Sequence, residues 1–179
     1  MSASVKDSTK QFLTFRLGEE LFAVEIDKVR EVMDYTTITR VPRVPEFMMG
    51  VINLRGNVVP VIDMRLKFGM TKTERTVNTC IIIVEVEHEE ESLILGALAD
   101  SVQEVFEIEQ GQIEPPPKIG TRLRTEFIQG MGKRDSEEQF VIILDIDKIF
   151  STDELEIVGE MDRIAPNMDE EPEKETVKT

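Results

Sequence analysis

Gly50-Val-Ile-Asn-Leu-Arg-Gly-Asn-Val-Val-Pro-Val-Ile-Asp-Met64 decides the architecture. Two β-branched runs, residues 50–54 and 58–62, flank Arg55-Gly56-Asn57. A Gly-Asn pair tolerates the positive φ of a tight turn, so the stretch predicts a hairpin. Asp63 follows as N-cap of a short helix over residues 64–68, which Gly69 stops. Outward from this hairpin, residues 11–17 alternate with period two, Gly18-Glu19-Glu20 breaks the pattern, and residues 21–26 resume it. That is a second hairpin with one buried face. Asp27 is placed to cap a short helical turn carrying Val29, and residues 32–41 are again extended until Pro42 and Pro45 remove ladder donors. Further strands are predicted at 79–86, 93–98, 103–108 and 140–144. Residues 152–164 read as helix, with Leu155, Val158 and Met161 on one stripe and Ser151 or Thr152 as cap. Many short strands with closely spaced turn signals predict a mainly β fold of barrels or sandwiches.

The chain also repeats itself. Asp27-Lys-Val-Arg-Glu-Val32 returns as Asp100-Ser-Val-Gln-Glu-Val105, and Glu46-Phe-Met-Met-Gly50 as Glu126-Phe-Ile-Gln-Gly130. Ile38 before Pro42 is echoed by Ile113 before Pro115, and Val61-Ile-Asp-Met64 by Ile143-Leu-Asp-Ile146. The offset grows from 73 residues (Asp27 to Asp100) to 82 (Asp63 to Asp145), and the order of the matches never breaks. Two copies of one small β unit follow. Each is too small to bury a generous core alone, so the two should pack side by side and leave a groove.

Composition bounds the function. The chain of 179 residues carries 36 acidic against 21 basic side chains, a formal charge of −15. Such a chain repels phosphate backbones and anionic lipid, which argues against nucleic acid or a membrane surface as main partner. No apolar run approaches the roughly 20 residues a membrane helix needs, and the polar residues 1–10 lack the core of a signal peptide. A cytoplasmic, soluble protein is expected. Beyond Pro166 the acidic residues Asp169, Glu170, Glu171, Glu173 and Glu175 show no apolar periodicity, and residues 165–179 are expected to be a disordered tail.

Catalytic chemistry finds little footing. The single histidine, His88, lies in Glu85-Val-Glu-His-Glu-Glu-Glu91, which reads as a solvated hairpin loop and a weak metal site at best. Cys80 heads an apolar strand with no histidine placed to activate it, so a buried structural thiol is expected. Gly130-Met-Gly132-Lys133 lacks the glycine spacing and following hydroxyl of a phosphate loop. Asp63 and Asp145 occupy equivalent places in the two copies and read as helix caps; a hydrolase or phosphatase would have to use them or His88. No catalytic residue, metal or cofactor is expected. What remains is a binding surface. Arg55 is a charge held beside a tight turn, Glu31 reads as a solvated acid, and Phe47, Met48 and Met49 suit either a core or an adaptable docking face.

Residues 50–68, with Asn53-Leu-Arg-Gly56 as the most specific part, closely resemble the CheW family of bacterial chemotaxis coupling proteins. Phe12-Leu-Thr-Phe-Arg-Leu-Gly18, Val29-Arg-Glu-Val32, Leu95-Gly-Ala-Leu-Ala-Asp-Ser-Val102 and Thr125-Glu-Phe-Ile-Gln-Gly130 extend the likeness over residues 11–150. The resemblance implies two pseudo-symmetric five-stranded SH3-like β-barrels packed side by side, with short connecting helices and one C-terminal helix. The domain would span 11–155, its first copy roughly 11–70 and its second roughly 77–150 with strands free to interweave, followed by the helix 151–164. It implies a non-catalytic adaptor between the cytoplasmic tips of methyl-accepting receptors and the regulatory domain of the histidine kinase CheA, recruited to receptor arrays at the inner membrane. The same module could serve another chemosensory array, for motility or development. Matching positions place Val29, Glu31, Gly50 and Arg55 at the receptor-binding surface and Arg122, Glu126 and Phe127 at the kinase-facing end.

Overall fold

The structure, a computed structural model, describes residues 9–115, 125–133 and 140–164. The described residues form ten strands: β1 Thr9–Leu17, β2 Glu20–Glu25, β3 Val29–Asp34, β4 Met48–Leu54, β5 Asn57–Asp63, β6 Cys80–His88, β7 Glu91–Ala99, β8 Ser101–Glu109, β9 Ile128–Lys133 and β10 Phe140–Leu144. Among the described residues, helices α1 Met64–Lys67 and α2 Thr152–Ile164 join them, with short 3-10 turns between. Sheet one runs β8-β1-β2-β10-β9 and sheet two β3-β6-β7-β5-β4. Replacing β8, β1, β2, β10 and β9 by β3, β6, β7, β5 and β4 turns one order into the other. Each sheet has one parallel pair at the same place, β2 with β10 and β5 with β7. These are two pseudo-symmetric, five-stranded units of SH3-like barrel type, with edge strands left open among the described pairings.

The internal repeat is visible in hydrogen bonds. Thr39 and Val51 exchange both backbone bonds, as do Glu114 and Met131. The Asp63 amide donates to the Phe47 carbonyl at 2.7 Å, and the Asp145 amide to the Phe127 carbonyl at 2.8 Å. Chain order and sheet membership differ, however. Hairpin β1–β2 joins β8, β9 and β10, while β6–β7 joins β3, β4 and β5.

Burial explains the uninterrupted apolar runs. In β6, Ile81 and Ile83 face a cluster within sheet two, while Ile82, Val84 and Val86 face a larger cluster shared with sheet one. In β1, Phe12 turns to a cluster within sheet one and Leu13, Phe15 and Leu17 to the shared one. A strand covered on both faces loses the polar alternation of a half-exposed one. Rather than standing apart across an open groove, the two units are joined by that shared core. A polar pin also ties them: Lys28 Nζ lies 2.8 Å from Asp147 Oδ2, and Asp147 Oδ1 accepts the Glu87 amide.

Local elements mostly follow their sequence signals; the extended run read over residues 32–41 is strand only to Asp34, and three exceptions are larger. Asp63 caps α1 by accepting from the Arg65 and Leu66 amides, and Gly69 stops it at φ 80°. Ser151 and Glu154 form a reciprocal capping box on α2: Ser151 Oγ accepts the Glu154 amide at 3.1 Å, and Glu154 Oε1 accepts the Ser151 amide at 2.8 Å. The first exception is Asp27, which lies inside the 3-10 turn Ile26–Lys28 without capping it, and Val29 begins a strand. The second is β9, absent from the sequence reading because Gly130 and Gly132 weaken strand propensity. Its signal was the repeat, since Glu126 to Gly130 matches the residues leading into β4. The third is His88, which ends β6 with its side chain largely folded in. It continues the inward alternation of Val84 and Val86, and the turn falls on Glu89 and Glu90, both at positive φ.

Candidate partner-binding surface

The β4–β5 hairpin closes through Arg55 and Gly56, at φ 52° and 87°, with Leu54 paired to Asn57. Two successive positive φ values are the I′ geometry that matches strand twist. The turn therefore rests on Arg55-Gly56, one residue earlier than the Gly-Asn pair. The Asn53 side-chain oxygen accepts the Gly56 amide at 2.8 Å and stiffens the loop. Arg55 is thus projected from a rigid tip, with 71% of its side chain exposed. Its two terminal nitrogens donate to the two oxygens of Glu31 on β3, at 2.6 and 2.9 Å. A planar fork meeting a carboxylate two-to-two fixes orientation as well as charge. The hydrogen bonds from Arg55 hold the Glu31 carboxyl below its ordinary range, and Glu31 in turn raises the guanidinium.

Two of the four expected receptor contacts are therefore one clamp. Val29, half-buried, starts the same strand as Glu31, and Val32 beside it is exposed. Gly50 is buried: a Cβ there would stand 2.0 Å from the Thr39 carbonyl oxygen. The close approach it permits is that of its own chain, the strap around Thr39 and Arg40. Beside the clamp opens a cleft of about 490 Å³, bordered by Arg30, Leu54, Pro60, Leu93 and Val158. This concavity lies within sheet two and against α2, not along the seam between the sheets. Arg30, Leu93 and Val158 escaped the sequence reading as site residues. Val158 sat on the apolar stripe of α2, but nothing in a linear chain says which strand that stripe meets.

Of the expected kinase-facing residues, two are described. Arg122 lies outside the described residues. Glu126 is exposed in the 3-10 turn Thr125–Phe127, and Phe127 is buried. The Phe127 ring packs 6.0 Å from that of Phe68. Lys67 Nζ sits over the rings of Phe47, Phe127 and Phe150 at 4.8, 5.5 and 5.5 Å. It also pairs with Glu154 at 2.8 Å. Phe127 is the floor of this end of the molecule, and Glu126 its surface. Phe47 and Met49 are half-buried while Met48 is core.

The two aspartates weighed for catalysis are committed elsewhere. Asp63 is fully buried, and beyond its cap it accepts from the Thr73 amide and hydroxyl. Asp145 accepts the Asp147 amide. Burial, with Asp34 and Asp100 nearby, pushes the Cys80 thiol up to about 11, where it is a poor nucleophile. No group of three His, Cys, Asp or Glu stands together as metal ligands among the described residues. No described helix is long and apolar enough to cross a membrane.

Rigid paired β units that present a fixed Arg–Glu clamp beside a cleft of mixed polar and apolar lining define a protein of the interaction-scaffold class. Comparison with known proteins gives the particular family. The family model for the CheW-like domain matches residues 11–154, and the chain belongs to that family. It is 35% identical over 149 residues to the chemotaxis protein CheW of Klebsiella aerogenes, covering 83% of this chain and 86% of that protein. The chemotaxis protein CheW of Rhizobium meliloti is 32% identical over 147 residues, 82% and 91% of the two chains. The crystal structure of the scaffolding protein TtCheW from Thermoanaerobacter tengcongensis superposes with a TM-score of 0.71 at 36% identity, covering 81% of this chain and 90% of that one.

Proposed function

We propose that this protein is a non-catalytic chemotaxis adaptor that couples methyl-accepting receptors to the histidine kinase CheA, in the cytoplasm at receptor arrays of the inner membrane. The observation that carries this reading is the Arg55–Glu31 clamp. Two residues that resemblance assigns to receptor binding, 24 positions apart, meet in one two-point ion pair between the β4–β5 tip and β3. A helical receptor tip can lay an apolar side chain into the neighbouring cleft and exchange polar contacts with the clamp. Val29 would border that contact, and Gly50 would serve it by seating the strap that braces β4. Residues 11–155 are the coupling domain in this reading, and helix 151–164 braces the cleft through Val158.

The kinase would be met by Arg122 and by Glu126, with Phe127 supporting the turn that carries Glu126 from beneath. Coupling requires a difference in affinity: an adaptor that bound both receptor states equally would shift nothing. The test is co-sedimentation of the full chain with receptor-containing membranes and kinase. Arg55→Glu should lose receptor association while its melting temperature stays unchanged. Receptor-dependent kinase control that survives in a folded Arg55→Glu protein would defeat the assignment. Glu126→Lys, which leaves the Phe127 core intact, should weaken the kinase contact alone.

A further inference from the structure

Positive charge is scarce in this chain, and about half of the described cations are committed to carboxylates. Lys28, Arg30, Arg55, Arg65 and Lys67 each lie within 3.0 Å of a carboxylate. Arg40, Lys72 and Arg75 do not: none forms an ion pair among the described residues. All three line one concavity of about 450 Å³, together with Tyr35, Met49 and Leu66. The Arg75 guanidinium is stacked 4.2 Å from the centre of the Tyr35 ring, which limits its wandering. Glu46 also lines the concavity, and Glu74 neighbours it in sequence; neither pairs with the three cations. The loop carrying Lys72 and Arg75 holds Val77 too, 99% exposed.

Three unneutralised like charges around one hollow, in a protein of net charge −15, repel each other and await an anionic complement. The lining is mixed rather than wholly polar, and the half-buried Met49 can reshape around an apolar side chain. We propose that this hollow docks an acidic segment of a partner polypeptide, seating an apolar side chain against Met49 and Leu66 while carboxylates meet Arg40, Lys72 and Arg75. It lies at the other end of sheet two from the clamp. Met48 and Leu98 border it, whereas Leu54 and Leu93 of the same two strands border the cleft beside Arg55. The surface is therefore separate from the one proposed for receptors.

The test is fluorescence anisotropy of the full chain with a fluorescein-labelled peptide Glu-Glu-Leu-Glu-Phe-Glu-Glu, and with the same peptide carrying lysines for glutamates. The acidic probe should bind and the basic one should not, with backbone NMR shifts centred on Tyr35, Arg40, Lys72 and Arg75. The double variant Lys72→Glu, Arg75→Glu should weaken binding at least tenfold, and Arg55→Glu should leave it unchanged. If the double variant misfolds, Arg40→Gln alone, at an exposed position, should still weaken it about threefold. Equal affinity of the folded variants would overturn the proposal. So would displacement by inorganic phosphate at matched ionic strength, which would make this a small-anion site. Binding that emerges only on deleting residues 165–179 would overturn it in favour of the chain's own acidic end.

Discussion

Arg55 occupies backbone that arginine enters at a cost. At φ 52° an L side chain is disfavoured by roughly 1–2 kcal/mol relative to the right-handed region, and glycine would sit there freely. The guanidinium accounts for the choice, because from this tip its fork reaches Glu31 on another strand. The pairing makes a sign-defined prediction. Glu31 titrates below the ordinary glutamate range in the folded protein because Arg55 donates to its carboxylate. Any stability from the pair is present above the unfolded pKa of Glu31 and is lost as pH falls through its folded value. In Arg55→Gln the Glu31 carboxyl should return toward its ordinary range, read by NMR titration of its side-chain carbon. An unmoved Glu31 titration would mean the fork does not hold in solution. Arg55→Lys should restore charge but not the two-point contact, and so leave receptor binding weakened.

At the scale of elements, the strap over β4 and the helix α2 are held by specific small features. Gly50 admits the Thr39 carbonyl where any Cβ would collide, so Gly50→Ala should destabilise by about 1–3 kcal/mol through overpacking. Gly159, inside α2 with open space around it, is the control: Gly159→Ala should stabilise by up to ~1 kcal/mol through helix propensity. Equal effects of the two in urea titrations would refute the strap contact. Glu154 serves two masters, capping α2 and pairing with Lys67. Lys67 is only 11% exposed, so Glu154→Ala should leave a nearly buried cation unpaired and cost about 1–3 kcal/mol. Ser151→Ala, which removes only the cap, should cost about 1 kcal/mol. Similar losses for both would mean that the Lys67 pair adds nothing.

At the scale of the molecule, neither sheet is a segment of chain. Gln11 pairs with Glu107, 96 positions away, and Phe22 runs parallel to Ile142. With interlaced strands and a shared core, one sheet cannot unfold while the other persists. Thermal and urea unfolding should therefore be a single transition, with near-ultraviolet and far-ultraviolet circular dichroism coincident. Two separated transitions would show the units to be independent. Folding should be slow for the size, on the order of milliseconds to seconds, because long loops close before most pairings form.

Local pattern and repetition in the chain determined a great deal. Alternation in residues 11–17, a tight turn within Arg55-Gly56-Asn57, the cap Asp63, a cap at Ser151 or Thr152, and the duplication are all written in neighbouring residues. So were Glu31 and Arg55 as candidates, through the motif that carries the family resemblance. Tertiary structure alone decided that hairpin β1–β2 crosses to the strands of the second repeat, that Phe127 packs on Phe68 beneath Lys67, and that Glu31 and Arg55 are one clamp. It also gathered Arg40, Lys72 and Arg75 around one hollow. The physical reason is common to all four. Period and propensity act over a few residues, whereas partner choice between distant strands is settled by which arrangement buries most apolar surface without stranding a polar group.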